Sequence, residues 1–178
     1  MKKMISALLA LLLIALPTLA ETVPYQGAGY TVVLPENLAV LPEETVQSYF
    51  AAAKADAGEA LDGTEADALD TSKILLAASE DGQQSLSIIP GESDGRTAAE
   101  LGTAAREDLT DLVTGLSARE VETTTVGALE FASVRYSLYG SEVAQYYTVV
   151  GETVFCLTFT NLDDDVIEAV LASFAPEA

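Results

Sequence analysis

Carboxylates are the groups in this sequence most able to do chemistry. Asp and Glu account for 28 of the 178 residues, and His is absent. They form two clusters, the triplet Asp163-Asp164-Asp165 and the looser set Asp62, Glu65, Asp67 and Asp70. Calcium is the cation that such clusters could hold, because it takes about six to eight oxygen ligands. Neither cluster has EF-hand spacing, and the triplet stands at an expected helix start, where acidic residues serve as caps. We therefore predict helix capping and no metal site.

Most catalytic arrangements cannot be assembled from this sequence. Without His, neither a Ser-His-Asp triad nor a Cys-His pair can form, and zinc or copper would lack their usual ligands. The glycines in Gly27-Ala28-Gly29 are too close together for a phosphate loop and precede a predicted strand rather than a helix. A hydrolase that uses two carboxylates remains an alternative, although the chain has no Trp to stack against sugars. We expect no enzyme activity, no catalytic residue and no cofactor.

Cys156 is the only cysteine. In an exported protein, an unpaired Cys forms an intermolecular bridge, is a reactive thiol, or behaves as a small buried hydrophobe. Cys156 lies within 153–159, a segment rich in β-forming residues, and no His is present to activate its thiol. We predict that it is buried and unreactive.

Four tyrosines are close together on two neighbouring predicted strands: Tyr136, Tyr139, Tyr146 and Tyr147. Side chains alternate along a strand, so Tyr146 and Tyr147 must point to opposite faces of the sheet. Tyr is common at interfaces because it joins a large apolar ring to a polar tip, but it also packs well in half-buried sheets. Packing is the favoured role.

The first 20 residues have the layout of a secretory signal peptide. Two lysines precede an apolar segment over 5–16, and Pro17 is followed by small residues at the minus-three and minus-one positions before Glu21. The apolar segment is shorter than the roughly 20 residues that span a bilayer. We predict cleavage near Ala20-Glu21 and a product secreted into the extracellular or cell-envelope space, without membrane insertion.

Net charge restricts the partners of the processed chain. Loss of residues 1–20 would leave six basic and 28 acidic residues, a formal charge of −22. This charge excludes nucleic acid as a partner and opposes docking on anionic lipid, because both require a cationic surface. Cations, basic proteins and polycationic surfaces fit, although solubility through self-repulsion is the favoured explanation. Residues 21–178 have the length of one domain with its own core.

Apolar spacing and turn residues predict the element order β-β-α-β-β-α-β-β-β-β-α. The predicted strands are 30–34, 38–41, 74–78, 85–89, 119–126, 129–138, 143–150 and 153–160. Helices are expected to begin at Pro42 with Glu43 and Glu44 in the first turn, at Thr97 with a capping box to Glu100, and near Asp163. They are expected to end at Gly58, Leu116 and Phe174, whereas 21–29 and 91–95 are expected to be irregular.

The turns and the last predicted strand indicate the fold class. Tight turns at Asp81-Gly82, at 139–141 and at Gly151-Glu152 favour hairpins, so the sheet should be mainly antiparallel and the class α+β. The strand over 153–160 alternates without placing a charge on either face. A strand that is apolar on both faces is central and covered on both sides, which predicts helices on both faces of the sheet.

Several segments resemble the PsbP-like domains, the family of the extrinsic photosystem subunit and its many exported, non-photosynthetic bacterial relatives. They are 29–35, the hairpin around Asp81-Gly82, 127–136, 145–159 and the closing helix over 166–174, so the resemblance extends over about 25–175. It implies the α/β/α sandwich of that family. Relatives often have a Trp shortly after the first Pro, where this chain has Glu36-Asn37-Leu38. Similarity to the photosystem subunit would also imply a role in retaining calcium and chloride. We do not transfer that role, because this chain has no His or other matching ligand.

These observations predict an exported, non-catalytic binding or accessory domain at the cell envelope or outside the cell. Its expected partner is a protein or an envelope component. A calcium-responsive acidic module is one alternative, and a carboxylate-based hydrolase is another.

Overall fold

The computed structural model describes residues 24–27, 29–57, 70–113 and 116–177. The predicted signal peptide, its cleavage site and the acidic residues Asp62, Glu65 and Asp67 lie outside these ranges. None of the described helices is long and apolar enough to cross a membrane.

The described residues form three α-helices: α1 (Glu43–Ala57), α2 (Ala98–Leu112) and α3 (Asp164–Ser173). They also form ten strands, which are β1 (Pro24–Gly27), β2 (Tyr30–Val33), β3 (Ala39–Val40), β4 (Leu75–Ala78), β5 (Ser85–Glu92), β6 (Glu122–Val126), β7 (Leu129–Leu138), β8 (Ser141–Val150), β9 (Thr153–Thr160) and β10 (Ala175–Pro176). A short 3-10 helix over Thr71–Lys73 precedes β4.

Seven strands form one antiparallel sheet in the order β3-β4-β5-β9-β8-β7-β6. Three of its hairpins have two-residue turns, at Gly127-Ala128, at Tyr139-Gly140 and at Gly151-Glu152. Gly140 and Gly151 have φ of +85° and +61°, which glycine adopts without a steric penalty. The predicted α+β class and the mainly antiparallel sheet are confirmed.

The central strand β9 lies between β5 and β8. Phe155, Leu157 and Phe159 pack into the core on one face of the sheet, and Val154 and Cys156 pack into the core on the other. The prediction of a strand that is apolar on both faces is therefore confirmed. The predicted cover is present as well, because each face of the sheet packs against other elements.

The two faces of the sheet have different covers. Val46 of α1 and Leu109 of α2 join the core that contains Cys156. On the opposite face, Ile167 of α3 and Tyr30 of β2 belong to the second core. The layers are thus a helix pair, the seven-stranded sheet, and a third layer made of α3 with a small sheet.

That small sheet is a difference from the sequence prediction. Residues 21–29 were expected to be irregular, but β1 pairs with one edge of β2, and β10 pairs with its other edge. Tyr30 explains this arrangement, since its ring is fully buried against Phe155 and Phe174. The two short flanking strands pair with the backbone of the strand that carries this ring.

Several element ends also differ from the prediction; for example, β6 begins at Glu122 rather than at 119, and β8 begins at Ser141 rather than at 143. β5 continues through Pro90 to Glu92 because β9 is long enough to pair with it there. Pro is tolerated at this point because β4 begins at Leu75, opposite Ile88, so beyond Ile88 β5 pairs with β9 alone. Helix α2 ends at Leu112, and Leu116 contacts the core from the following loop.

Candidate functional site

The thiol of Cys156 is enclosed in the core beneath α1 and α2. Its residue is 2% exposed, and its Sγ lies 3.8 Å from Thr158 Oγ1. Burial raises the pKa of this thiol to about 11, so it is protonated at neutral pH. The predicted burial is confirmed. A buried, protonated thiol is a poor nucleophile because the thiolate is the reactive form.

Polar side chains also form a row inside this core. Ser87, Thr158 and Gln145 are paired across β5, β9 and β8, and all three are buried. Tyr147 donates its hydroxyl to Gln145 Oε1 at 3.1 Å. Ser87 Oγ and Gln145 Nε2 have no hydrogen-bond partner within the part of the chain that the structure describes. Sequence reasoning missed this row, although a Gln in an apolar strand is a signal for it.

The acidic triplet Asp163-Asp164-Asp165 lies at the start of α3. Asp163 occupies the N-cap position, as predicted, but its side chain makes no capping hydrogen bond. Asp164 instead forms an ion pair with Arg135 of β7, with 2.5 Å between Oδ1 and Nη1. Asp70 accepts hydrogen bonds from the backbone and side chain of Ser72. Among the described residues, no three His, Cys, Asp or Glu side chains are grouped to hold a metal ion.

Arg135 joins three elements that sequence reasoning did not connect. Besides Asp164 of α3, its guanidinium donates to Tyr146 Oη of β8 at 2.8 Å. Desolvation opposes its charge, but the hydrogen bonds to Asp164 and Tyr146 outweigh this and raise the pKa of Arg135. The group therefore remains a cation that holds α3 to the sheet.

One end of the sheet is fastened by Asn161. Its Oδ1 accepts from the Glu142 backbone N–H at 2.8 Å, and its Nδ2 donates to the Gln83 carbonyl at 2.8 Å. Its own backbone N–H donates to the Glu142 carbonyl, and its φ is +52°. Asn tolerates this left-handed conformation better than most residues. These bonds connect the end of β9 to the start of β8 and to the β4–β5 turn.

Tyr139 extends from the hairpin turn beside this junction. Its side chain is exposed and the residue retains 92% of its accessible surface, whereas Tyr136, Tyr146 and Tyr147 are buried. The packing prediction is therefore correct for three tyrosines and wrong for Tyr139. Its φ is +51° and that of Gly140 is +85°, so both turn residues are left-handed. This turn type favours Asn, Asp or Gly at the first position.

Comparison with solved structures matches this chain to the solution structure of cyanobacterial PsbP (CyanoP) from Synechocystis sp. PCC 6803. The match has a TM-score of 0.55 and covers 91% of this chain and 97% of the cyanobacterial one. This chain has a PsbP-like fold. Because sequence identity is 14%, the likeness shows the PsbP-like fold alone and assigns no role to any residue.

A crystal structure from Bacteroides thetaiotaomicron VPI-5482 also matches, with 12% identity and a TM-score of 0.48. The match covers 84% of this chain but 46% of the other, so this chain spans less than half of that structure. No family model and no curated protein sequence matches this chain.

The PsbP-like fold of this chain thus separates its reactive groups from its most exposed aromatic group. Cys156 is enclosed, and Asp164 and Arg135 are paired with each other. Tyr139 is the most exposed of the large hydrophobic residues that the structure describes, and its hairpin is joined to the rest of the sheet through Asn161.

Proposed function

We propose that this chain is an exported, non-catalytic binding domain that recognises a protein or envelope component through the Tyr139 hairpin. The observation that carries the proposal is the exposure of Tyr139 from a left-handed backbone position. Tyr is among the residues that contribute most to binding when an interface encloses them.

The backbone conformation makes Tyr139 a costly choice for folding. A non-glycine L-residue in the left-handed region costs roughly 1–2 kcal/mol, and the exposed ring recovers little of this through packing. An Asn followed by Gly would form the same turn more favourably. Sequences break such local rules mainly at functional sites, which supports a binding role for the ring.

The surroundings of the potentially reactive groups support the non-catalytic part of the proposal. The Cys156 thiol is buried and protonated, and Asp164 is neutralised by Arg135. The carboxylates of Asp70 and Glu100 accept hydrogen bonds at helix starts, where they have structural roles. Reproducible turnover of a glycan, peptide or ester that disappears when one Asp or Glu is replaced would contradict this part.

Tyr139→Asn separates folding from binding. Asn relieves the backbone strain, so we expect a higher melting temperature together with loss of the partner captured from envelope extract. Val40→Thr is the matched control, because Val40 is also exposed but lies on the edge strand β3. It should leave capture unchanged. Unchanged capture by Tyr139→Asn, or a lower melting temperature, would show that the ring serves the fold.

Export is tested separately by intact mass. The proposal expects the mature protein to begin at Glu21 or within about two residues of it, since signal peptidases cleave after small residues. A mature form that retains residues 1–20 would contradict export by this route without bearing on the Tyr139 surface.

A further inference from the structure

We infer that the outer edge of β6 binds an extended, positively charged segment of a partner protein as an additional strand of the sheet. This surface is separate from the Tyr139 hairpin, so the inference goes beyond the proposed function and is tested independently. It rests on the exposure of β6, on the direction of its backbone groups, and on the charge around it.

β6 is the last strand of the seven-stranded sheet and pairs with β7 alone among the described strands. Residues 122–125 are all exposed, whereas Ser133, Ala132 and Phe131, the β7 partners of the first three, are buried. An edge strand presents unpaired N–H and C=O groups along its outer side, and these can pair with another chain.

The register identifies these outward groups. Val126 and Leu129 flank a two-residue turn in which Gly127 has φ of +62°, so they form a hydrogen-bonded pair. Such pairs recur at every second residue, which directs the backbone groups of Thr124 toward Phe131. The N–H and C=O groups of Thr123 and Thr125 therefore point away from the sheet.

The two edges of the sheet are protected to different degrees. β3, at the opposite edge, is only two residues long, and Pro42 lies two residues beyond its end. β6 has five residues, three of them Thr, and contains no Lys or Pro. Short edge strands, Pro and charged side chains, Lys above all, are the usual protection against added strands. Of these, β6 has only the carboxylate of Glu122 at its start, and its three Thr residues have high β-propensity.

Charge selects the kind of segment that would bind. Exposed carboxylates of Glu120, Glu122 and Glu130 flank this edge, and Arg106 is already paired with Glu120 at 2.7 Å. Within residues 116–130, Arg119 is the only cationic residue. Since the whole chain carries a formal charge of −20, its field attracts a basic segment and steers its approach.

A second copy of this chain fits the same edge less well. Two copies of the same large negative charge repel each other. A basic segment avoids the repulsion and can extend its contacts beyond the strand.

The probe is an acetylated and amidated peptide that alternates Thr and Val between terminal lysines, added to the isotope-labelled exported protein. At roughly millimolar peptide, the weak end of specific binding, we expect the amide resonances of Thr123 and Thr125 to shift more than that of Thr124. A peptide with terminal glutamates should bind more weakly. No shift with the lysine peptide, or equal binding of both peptides, would overturn the inference.

Proline substitutions test the backbone pairing. Thr125→Pro removes an outward N–H and should weaken peptide binding about tenfold, because an edge strand tolerates Pro there without losing a bond to β7. Thr123→Pro is a second variant of the same kind. The matched control Thr125→Val keeps the N–H and should bind within about twofold of the original. Equal binding by the Pro and Val variants would overturn the inference.

Three further measurements check the backbone register, the role of charge and the competing occupant. Thr124→Pro should lower the melting temperature, which checks that this N–H faces β7. Replacement of Glu122 and Glu130 by Gln should weaken binding about threefold and reduce its salt dependence. Dimers in light scattering that disappear in Thr125→Pro would assign the edge to a second copy and overturn the inference.

Discussion

The burial of Cys156 should make the free energy of unfolding depend on pH. In the unfolded chain a thiol loses its proton near pH 8.5, whereas burial raises the folded pKa of Cys156 to about 11. Burial also raises the pKa of Tyr30 and Tyr136. Stabilisation by the protonated groups is therefore complete below about pH 8.5 and is lost as the pH rises toward the folded values.

We therefore predict that the free energy of unfolding falls steadily between about pH 8.5 and 11. Denaturant titrations at several pH values measure this, and Cys156→Ala should flatten the profile while lowering stability throughout. In native buffer at neutral pH, thiol reagents should label Cys156 slowly, and in denaturant rapidly. Fast stoichiometric labelling of the folded monomer would show that the thiol is accessible.

Ser87 and Gln145 should respond differently to substitution, although both belong to the buried polar row. Ser87 Oγ has no partner among the described residues, so Ser87→Ala should change stability by less than about 1 kcal/mol or increase it. Gln145→Ala should cost about 2–4 kcal/mol, because it opens a cavity and removes the acceptor of the Tyr147 hydroxyl. Equal losses in urea unfolding would contradict this difference.

At the scale of elements, the two helix starts with predicted caps differ in how the cap acts. Thr97 Oγ1 accepts from the Glu100 N–H at 3.3 Å, and Glu100 Oε2 accepts from the Thr97 N–H at 2.9 Å. Thr97→Ala should therefore cost about 1 kcal/mol. Asp163→Ala should cost a few tenths, because Asp163 makes no capping bond and interacts only with the helix dipole. Equal shifts in melting temperature would show that the Asp163 side chain caps α3 in solution.

The elements that the sequence predicted are those with local signals. The capping box of α2, the glycine turns and the alternation in β9 are each contained within a few consecutive residues. The pairing of β1 and β10 with β2 has no such signal. β1 has four residues and β10 has two, and the pairing of Ala175 with Thr31 joins residues 144 positions apart in the sequence. Packing of Tyr30 against Phe155 and Phe174 stabilises that small sheet, and a sequence does not show which distant rings meet.

The candidate site was partly predictable for the same reason. Alternation correctly separated Tyr146 and Tyr147, and the turn at 139–141 was expected. A Tyr-Gly pair where Asn-Gly is usual was the local signal that could have distinguished Tyr139 from the buried tyrosines. The contacts of Arg135 with Asp164 and Tyr146 join separate elements, so residue spacing did not reveal them.

At the scale of the whole molecule, excess negative charge should oppose the compact state. The chain carries a formal charge of −20, and the described ion pairs are few and largely exposed, so they offset little of the repulsion. Monovalent salt shortens the range of this repulsion. We therefore predict that the melting temperature rises as sodium chloride is increased from low ionic strength.

Calcium should raise the melting temperature no more than this screening does, because the carboxylates of the acidic triplet have different structural roles. Asp163 lies at the N-cap of α3, and Asp164 pairs with Arg135. Melting temperatures in calcium and in magnesium at matched ionic strength should therefore agree. Only specific binding to the folded state stabilises a protein at sub-millimolar concentration. A rise of several degrees with sub-millimolar calcium alone would contradict the binding-domain proposal in its present form and favour a calcium-responsive module. Asp164→Asn would then test whether the triplet is the site, since it keeps the size of the side chain and removes one carboxylate.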